Sequence, residues 1–143
     1  MTGEVRAPLD GLAAQLTTRH GNANLAELDQ AMTLHVRSFE AGDVGGIIRA
    51  DLDFHRVIAE HCGNPQLWLT LEPIQRRVAM AILAGDPSSW PRDALREHQL
   101  IVAKIRAGDE EGARAAAEAH IIAARQRLID KQRRTTNAEG IKT

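Results

Sequence analysis

The sequence predicts an all-α fold, an antiparallel bundle of about six helices, and three observations carry that expectation. Alanine, leucine, arginine, glutamate and glutamine are plentiful, and these side chains lose little freedom in a helix. β-branched residues never alternate with polar ones over the length of a strand. Apolar residues recur at three- and four-residue intervals instead, between breaks marked by Gly, Asn and Pro. At 143 residues the chain fits one domain, able to bury about two-thirds of its unfolded surface.

The first helix is expected from about Gly3 to Arg19, with Val5, Leu9, Leu12, Ala13 and Leu16 on one face and Pro8 in its first turns. His20-Gly21-Asn22 breaks it. Asn24 can cap a second helix carrying Leu25, Leu28, Met32, Val36 and Phe39, which stops at Gly42. Asp43 caps the third, which runs to His61. Gly63-Asn64-Pro65 ends that one and starts the fourth, with Asn64 as cap and Pro65 at the first helical position. The fourth carries Leu67, Leu71, Ile74, Val78 and Ile82 to about Leu83. Gly85 to Pro91 reads as a loop. The fifth helix spans about Arg92 to Arg106 and stops at Gly108; Asp109 caps a sixth that reaches about Gln132. The domain is therefore placed at residues 3–132, and 133–143, polar and aperiodic, are expected to be a disordered tail.

One signal repeats. Ala41-Gly42-Asp43 and Ala107-Gly108-Asp109 each stop one helix and start another, and each new helix turns a histidine inward three turns later. Ala84-Gly85-Asp86 has the same letters, but Pro87 follows it.

Composition removes several function classes. Formal net charge is −1, so nothing global draws the chain to nucleic acid or an anionic membrane. The aromatics are only Phe39, Phe54, Trp68 and Trp90, a thin supply for stacking bases. The single Cys62 excludes an internal disulfide and fits a reducing compartment. No apolar run spans a membrane and no signal peptide is apparent, so a cytoplasmic location is expected.

Four polar groups interrupt the apolar stripes. In the third helix the stripe is Ile47, Asp51, Phe54, His55, Ile58; in the fifth it is Leu95, His98, Ile101, Val102, Ile105. In the sixth it is Ala113, Ala116, Ala117, His120, Ile121, Ala124, Leu128. A buried carboxylate costs several kcal/mol unless paired, and one divalent cation would satisfy Asp51, His55, His98 and His120 together. Nitrogen and oxygen donors of this kind suit zinc, nickel, manganese or iron. One carboxylate and three neutral imidazoles leave such a site at about +1, which favours a small anion as a further ligand. The plain alternative is a set of satisfied core histidines. His35 and His61 compete for the same role or face solvent near helix ends, and spacing does not choose; His20 is expected in solvent.

Asp51-Leu52-Asp53-Phe54-His55 followed by Gly63-Asn64-Pro65-Gln66-Leu67 resembles the Asp-x-x-Phe-His … Gly-Asn-Pro-x-Leu signature of the FCD domain, the effector-binding domain of FadR-type regulators in the GntR family. Glu97-His98, Ile105-Arg106-Ala107-Gly108-Asp109, Ala119-His120-Ile121 and the opening Glu4-Val5-Arg6-Ala7-Pro8-Leu9 resemble other parts of that domain, over residues 3 to 130. The resemblance implies an antiparallel bundle holding a divalent metal, most simply zinc, on one aspartate and three histidines, here Asp51, His55, His98 and His120. It also implies a small organic acid as effector and a homodimer. Arg6, Arg76 and Arg77 are candidates to grip the acid's far end, against the alternative that Arg76 and Arg77 lie on the wet face of helix four. The winged helix-turn-helix of such regulators has no counterpart in this sequence, so DNA contact is expected only through a domain not seen here.

The leading expectation is thus a non-enzymatic ligand-sensing domain. A metal-dependent hydrolase or lyase is the first alternative, but it needs a general base. Asp53 lies about 200° around its helix from Asp51, and Glu97 about 100° from His98, so neither is expected to point inward. The second alternative is a truncated module that pairs with a full-length partner.

Overall fold

The computed structural model describes residues 2–20, 25–85 and 92–142, and every regular element among them is α-helical. The helices are α1 (Thr2–Arg19), α2 (Leu25–Ala41), α3 (Val44–Glu60), α4 (Pro65–Ala84), α5 (Arg92–Arg106) and α6 (Glu110–Lys142). The break at Gly21-Asn22, the Asn24 cap and most of the Gly85–Pro91 loop lie outside the described residues.

The expected punctuation recurs as geometry. Gly42 and Gly108 adopt φ of 67° and 71°, the left-handed conformation that glycine enters without a Cβ clash. Asp43 and Asp109 then accept the backbone N–H of Gly46 and Gly112 at 3.1 and 2.9 Å, capping α3 and α6. Gly85, in the third copy of the same letters, has a φ of −85°. Asn64 caps α4 by accepting from Leu67 N at 3.2 Å, with Pro65 in the first turn.

α6 packs along α1 and α5, α2 lies on α3, and α3 leans on α4; α1 also touches α3, α4 and α5. Phe54, Leu28, Leu71 and Ile101 are the largest fully buried apolar side chains. Thr17 Oγ1 donates to the carbonyl of Ile58 at 2.7 Å and ties α1 to α3. The stripes expected for α3, α5 and the first half of α6 are buried or half-buried as a set.

Two elements differ in part from expectation. On α1, Ala13 is buried and Leu9, Leu12 and Leu16 pack half-buried against the core, but Val5 is exposed and the most buried face also carries Arg6, Ala7, Asp10, Ala14 and Thr17. α1 thus turns toward a polar interior, where Arg6 and Asp10 form an ion pair. The chain also remains helical through Lys142, where a disordered tail was expected from residue 133. No proline interrupts residues 133–142, so the helix propagates one hydrogen bond per residue from the long segment before it, with Thr135 and Thr136 Oγ1 donating to the carbonyls of Lys131 and Gln132 at 3.1 and 3.0 Å. Among the described residues no helix is long and apolar enough to cross a membrane.

Candidate metal centre

Asp51 and His55 lie one turn apart on α3, His98 faces them from α5 and His120 from α6. Asp51 Oδ1 stands 3.5 Å from His55 Nε2 and 3.4 Å from His98 Nε2. His98 Nε2 is 2.9 Å from His120 Nε2. Ligands about 2.1 Å from one ion lie roughly 3.0 Å apart at right angles and roughly 3.4 Å apart at tetrahedral angles. These separations are close to that range, and two sets of donor atoms each lie within 4.8 Å of one another among the described residues: His55, His98 and His120, and His35, Asp51 and His98.

Each imidazole is held from behind. Phe54 stacks on the His98 ring at 4.2 Å between centroids, and the His55 and His120 rings stack at 5.4 Å. His120 Nδ1 donates to Glu97 Oε1 at 2.7 Å. That bond leaves a lone pair on His120 Nε2, directed at His98 Nε2. His98 Nδ1 meets His35 Nδ1 at 3.3 Å; if His98 is the donor there, two lone pairs face one another at 2.9 Å, an arrangement that a cation relieves. His55 Nδ1 faces Asp10 Oδ1 at 3.8 Å, and Asp10 is held by Arg6 Nε at 2.9 Å and Gln75 Nε2 at 3.1 Å.

Electrostatics suit metal binding. Burial, then the neighbouring His120, holds His98 well below the usual histidine pKa; burial also lowers His120 against the upward pull of Glu97. Both are therefore neutral near pH 7, the form that ligates. Burial would raise the Asp51 pKa, but His55 and His98 outweigh it and keep the carboxylate ionised. Burial likewise opposes ionisation of Glu97, yet hydrogen bonds from Arg127 and His120 bring its pKa down to about 2.

A cavity of about 810 Å³ opens beside this cluster, reached by Asp51, His55, His120, Arg6 and Arg127. Arg6 is buried and lines it, with its guanidinium paired to Asp10. Arg76 and Arg77 are not brought there: both are exposed on α4, and Arg76 pairs with Glu72 on its own helix.

Sequence reasoning missed Glu97, Arg127, Asp10 and Gln75 and left His35 open. Glu97, expected to point away, reaches His120 because a long side chain need not share its neighbour's face; Arg127 anchors it with bonds of 2.9 and 2.8 Å. His35, left open, is fully buried with its Nδ1 3.3 Å from His98 Nδ1, and it groups with Asp51 and His98 as a second possible donor set. Asp10 and Gln75 were unremarked, although Arg6 and Asp10 at i and i+4 are the spacing of a helical ion pair. His20 is exposed, and His61 is half-buried with Glu27 at 3.7 Å.

Comparison with known proteins agrees with this architecture. The chain is 32% identical over 108 residues to the HTH-type transcriptional repressor NanR of Citrobacter rodentium (strain ICC168), covering 70% of this chain and 40% of that protein. This sequence thus corresponds to about two fifths of that relative's length. The fold is similar to that of E. coli McbR/YncC, with a TM-score of 0.80, 21% identity, and coverage of 91% of this chain and 67% of that one. A family model, the FCD domain, matches residues 2–123. Helix order, fold likeness and family match together make this chain a member of the FCD family, the effector-binding domain of GntR-type regulators.

Proposed function

We propose that this domain holds a divalent metal on Asp51, His55, His98 and His120 and senses a small organic acid bound beside it in the cavity. The observation that carries the reading is the approach of His98 Nε2 to both His120 Nε2 at 2.9 Å and Asp51 Oδ1 at 3.4 Å. The ion, zinc by preference and nickel, manganese or iron by donor type, supplies fixed positive charge and open coordination positions for a carboxylate oxygen. Arg6 offers the acid a buried cation on the same cavity. Ligand and metal together would join α3, α5 and α6, so occupancy biases the tilt of those helices. In a cytoplasmic homodimeric regulator that bias would pass to winged-helix domains, and DNA contact would come from them.

Catalysis is not part of the proposal. Glu97 is committed to His120 and Arg127, and Cys62 is buried with its Sγ 3.5 Å from the Asn64 carbonyl. The test is thermal denaturation against a panel of organic acids, with and without a chelator. The proposal expects at least one acid to raise the melting temperature, and the chelator to abolish that gain. An acid-induced gain that survives chelation, or silence across the panel, contradicts it.

A further inference from the structure

The cavity is too long for a small acid alone. Ligand pockets commonly measure roughly 300–1,000 Å³ and enclose drug-sized molecules, so about 810 Å³ far exceeds a three- or four-carbon acid. Its length comes from α6. His120, Ala124, Arg127, Leu128, Lys131 and Arg134 all line it, recurring at helical spacing along one face. From His120 to Lys131 that face rises about 16 Å at about 1.5 Å per residue, and a lysine side chain leaning back toward the helix N-terminus by about 6 Å leaves about 10 Å for a ligand to span. Most of this wall lies in the outer half of α6, beyond the residues that the family model matches.

Chemistry changes along the wall. The inner end presents Asp51, His55 and His120. The middle is apolar, with Val78 and Ile82 of α4 opposite Ala124 and Leu128 of α6. The outer end carries Lys131 and Arg134, with Asp130 beside them accepting from Gln126 at 2.9 Å. Arg6 and Arg127 are each paired with a carboxylate, whereas Arg134 forms no ion pair with any described residue.

We infer that the outer half of α6 fits this cavity to an extended acid with two anionic ends, one at the metal centre and one at Lys131 and Arg134, joined by an apolar chain. This rests on the metal-and-acid reading, which sets the inner end. Arginine at the outer end offers a carboxylate two parallel hydrogen bonds, which discriminates against a ligand ending in a methyl group. A mono-acid of equal length would also bring an apolar tip against two cations.

Calorimetric titration of the full chain, carrying its own metal, with octanoate, suberate and succinate tests this. Suberate and octanoate have the same length and differ only in the second carboxylate; succinate has both charges but not the length. Suberate is expected to bind at least about tenfold more tightly than either. The double substitution Lys131→Ala, Arg134→Ala is expected to remove that advantage by weakening suberate and not octanoate, with metal content unchanged. Equal affinity for suberate and octanoate, an unaffected preference in the double variant, or no binding of any probe to metal-loaded protein overturns the inference. A protein that purifies without metal, or that binds these acids equally well after chelation, overturns the underlying reading instead.

Discussion

Two carboxylates support the histidine cluster from opposite sides, and they differ in kind. Asp10 on α1 lies between Arg6 and His55; Glu97 on α5 lies between Arg127 and His120. In each case an arginine that lines the cavity grips a carboxylate that faces the outer nitrogen of a histidine. The Asp10 side is fully buried, and its carboxylate stands 3.8 Å from His55 Nδ1. The Glu97 side is half-buried, and its carboxylate makes a true hydrogen bond of 2.7 Å to His120. A buried ion pair chiefly holds a fold together once formed, because removing one partner strands the other charge. A short bond to a ligating imidazole chiefly fixes the tautomer and basicity of that ligand. An arginine, a carboxylate and a histidine are thus expected to serve stability on one side and, on the proposed reading, metal affinity on the other.

Breaking the Asp10 side is expected to have the largest effect. Asp10→Ala leaves the Arg6 guanidinium buried without its partner and removes the acceptor of Gln75. We expect a loss of about 3–5 kcal/mol in urea denaturation, equal with and without metal. A loss seen only in the presence of metal would move Asp10 to the other class.

Acid separates the buried histidines from Glu97 by pH window. Burial lowers the His35 pKa to about 4 from an ordinary value of 6.5. The unfolded chain therefore takes up this proton first as pH falls below 6.5, and stability declines until about pH 4, by about 3 kcal/mol from this group. His98 and His120, also lowered, act in the same direction. Glu97, at about 2 against an ordinary 4.5, stabilises the fold above pH 4.5 and loses that contribution as pH falls from 4.5 toward 2. In chelated Glu97→Gln protein, denaturation midpoints measured across pH should keep the upper decline and lose the lower one. Loss of the upper decline in that variant would contradict the assignment.

The smallest effect is expected from Glu97→Gln near neutral pH. The amide keeps the shape of the side chain and loses the charge, so stability should fall by about 1–2 kcal/mol, the contribution of the half-exposed carboxylate, while metal affinity weakens about 10–100-fold. A competition assay with a chromogenic chelator reads this directly. Unchanged metal affinity would leave Glu97 as no more than the partner of Arg127.

Much of this was legible in the sequence because helices announce themselves through ends and stripes. Gly42, Gly108, Asp43, Asp109 and the Asn64-Pro65 pair gave the boundaries, since a left-handed turn and an N-cap each admit few residue types. Asp51, His55, His98 and His120 stood out because a polar residue inside an apolar stripe needs a partner. What supports them was not legible. Glu97 and Arg127 meet across two helices and over thirty positions of sequence, a distance that periodicity does not span. Arg6 and Asp10 hid for the opposite reason, since an i, i+4 ion pair is ordinarily a solvent-facing feature. The leucines of α1 were the more obvious guide, and they pointed one position away from the buried face. Arg76 illustrates the same ambiguity: its pairing with Glu72 is the surface version of the Arg6–Asp10 contact.

The central claim is that Asp51, His55, His98 and His120 are there to hold an ion. The most direct test is metal content by plasma mass spectrometry on protein purified without a histidine tag, beside the His98→Ala, His120→Ala double variant. This account predicts about one divalent metal per chain in the natural protein and essentially none in the variant, with the variant still helical by circular dichroism. A natural protein that remains metal-free after incubation with zinc, nickel, manganese and ferrous iron would contradict it.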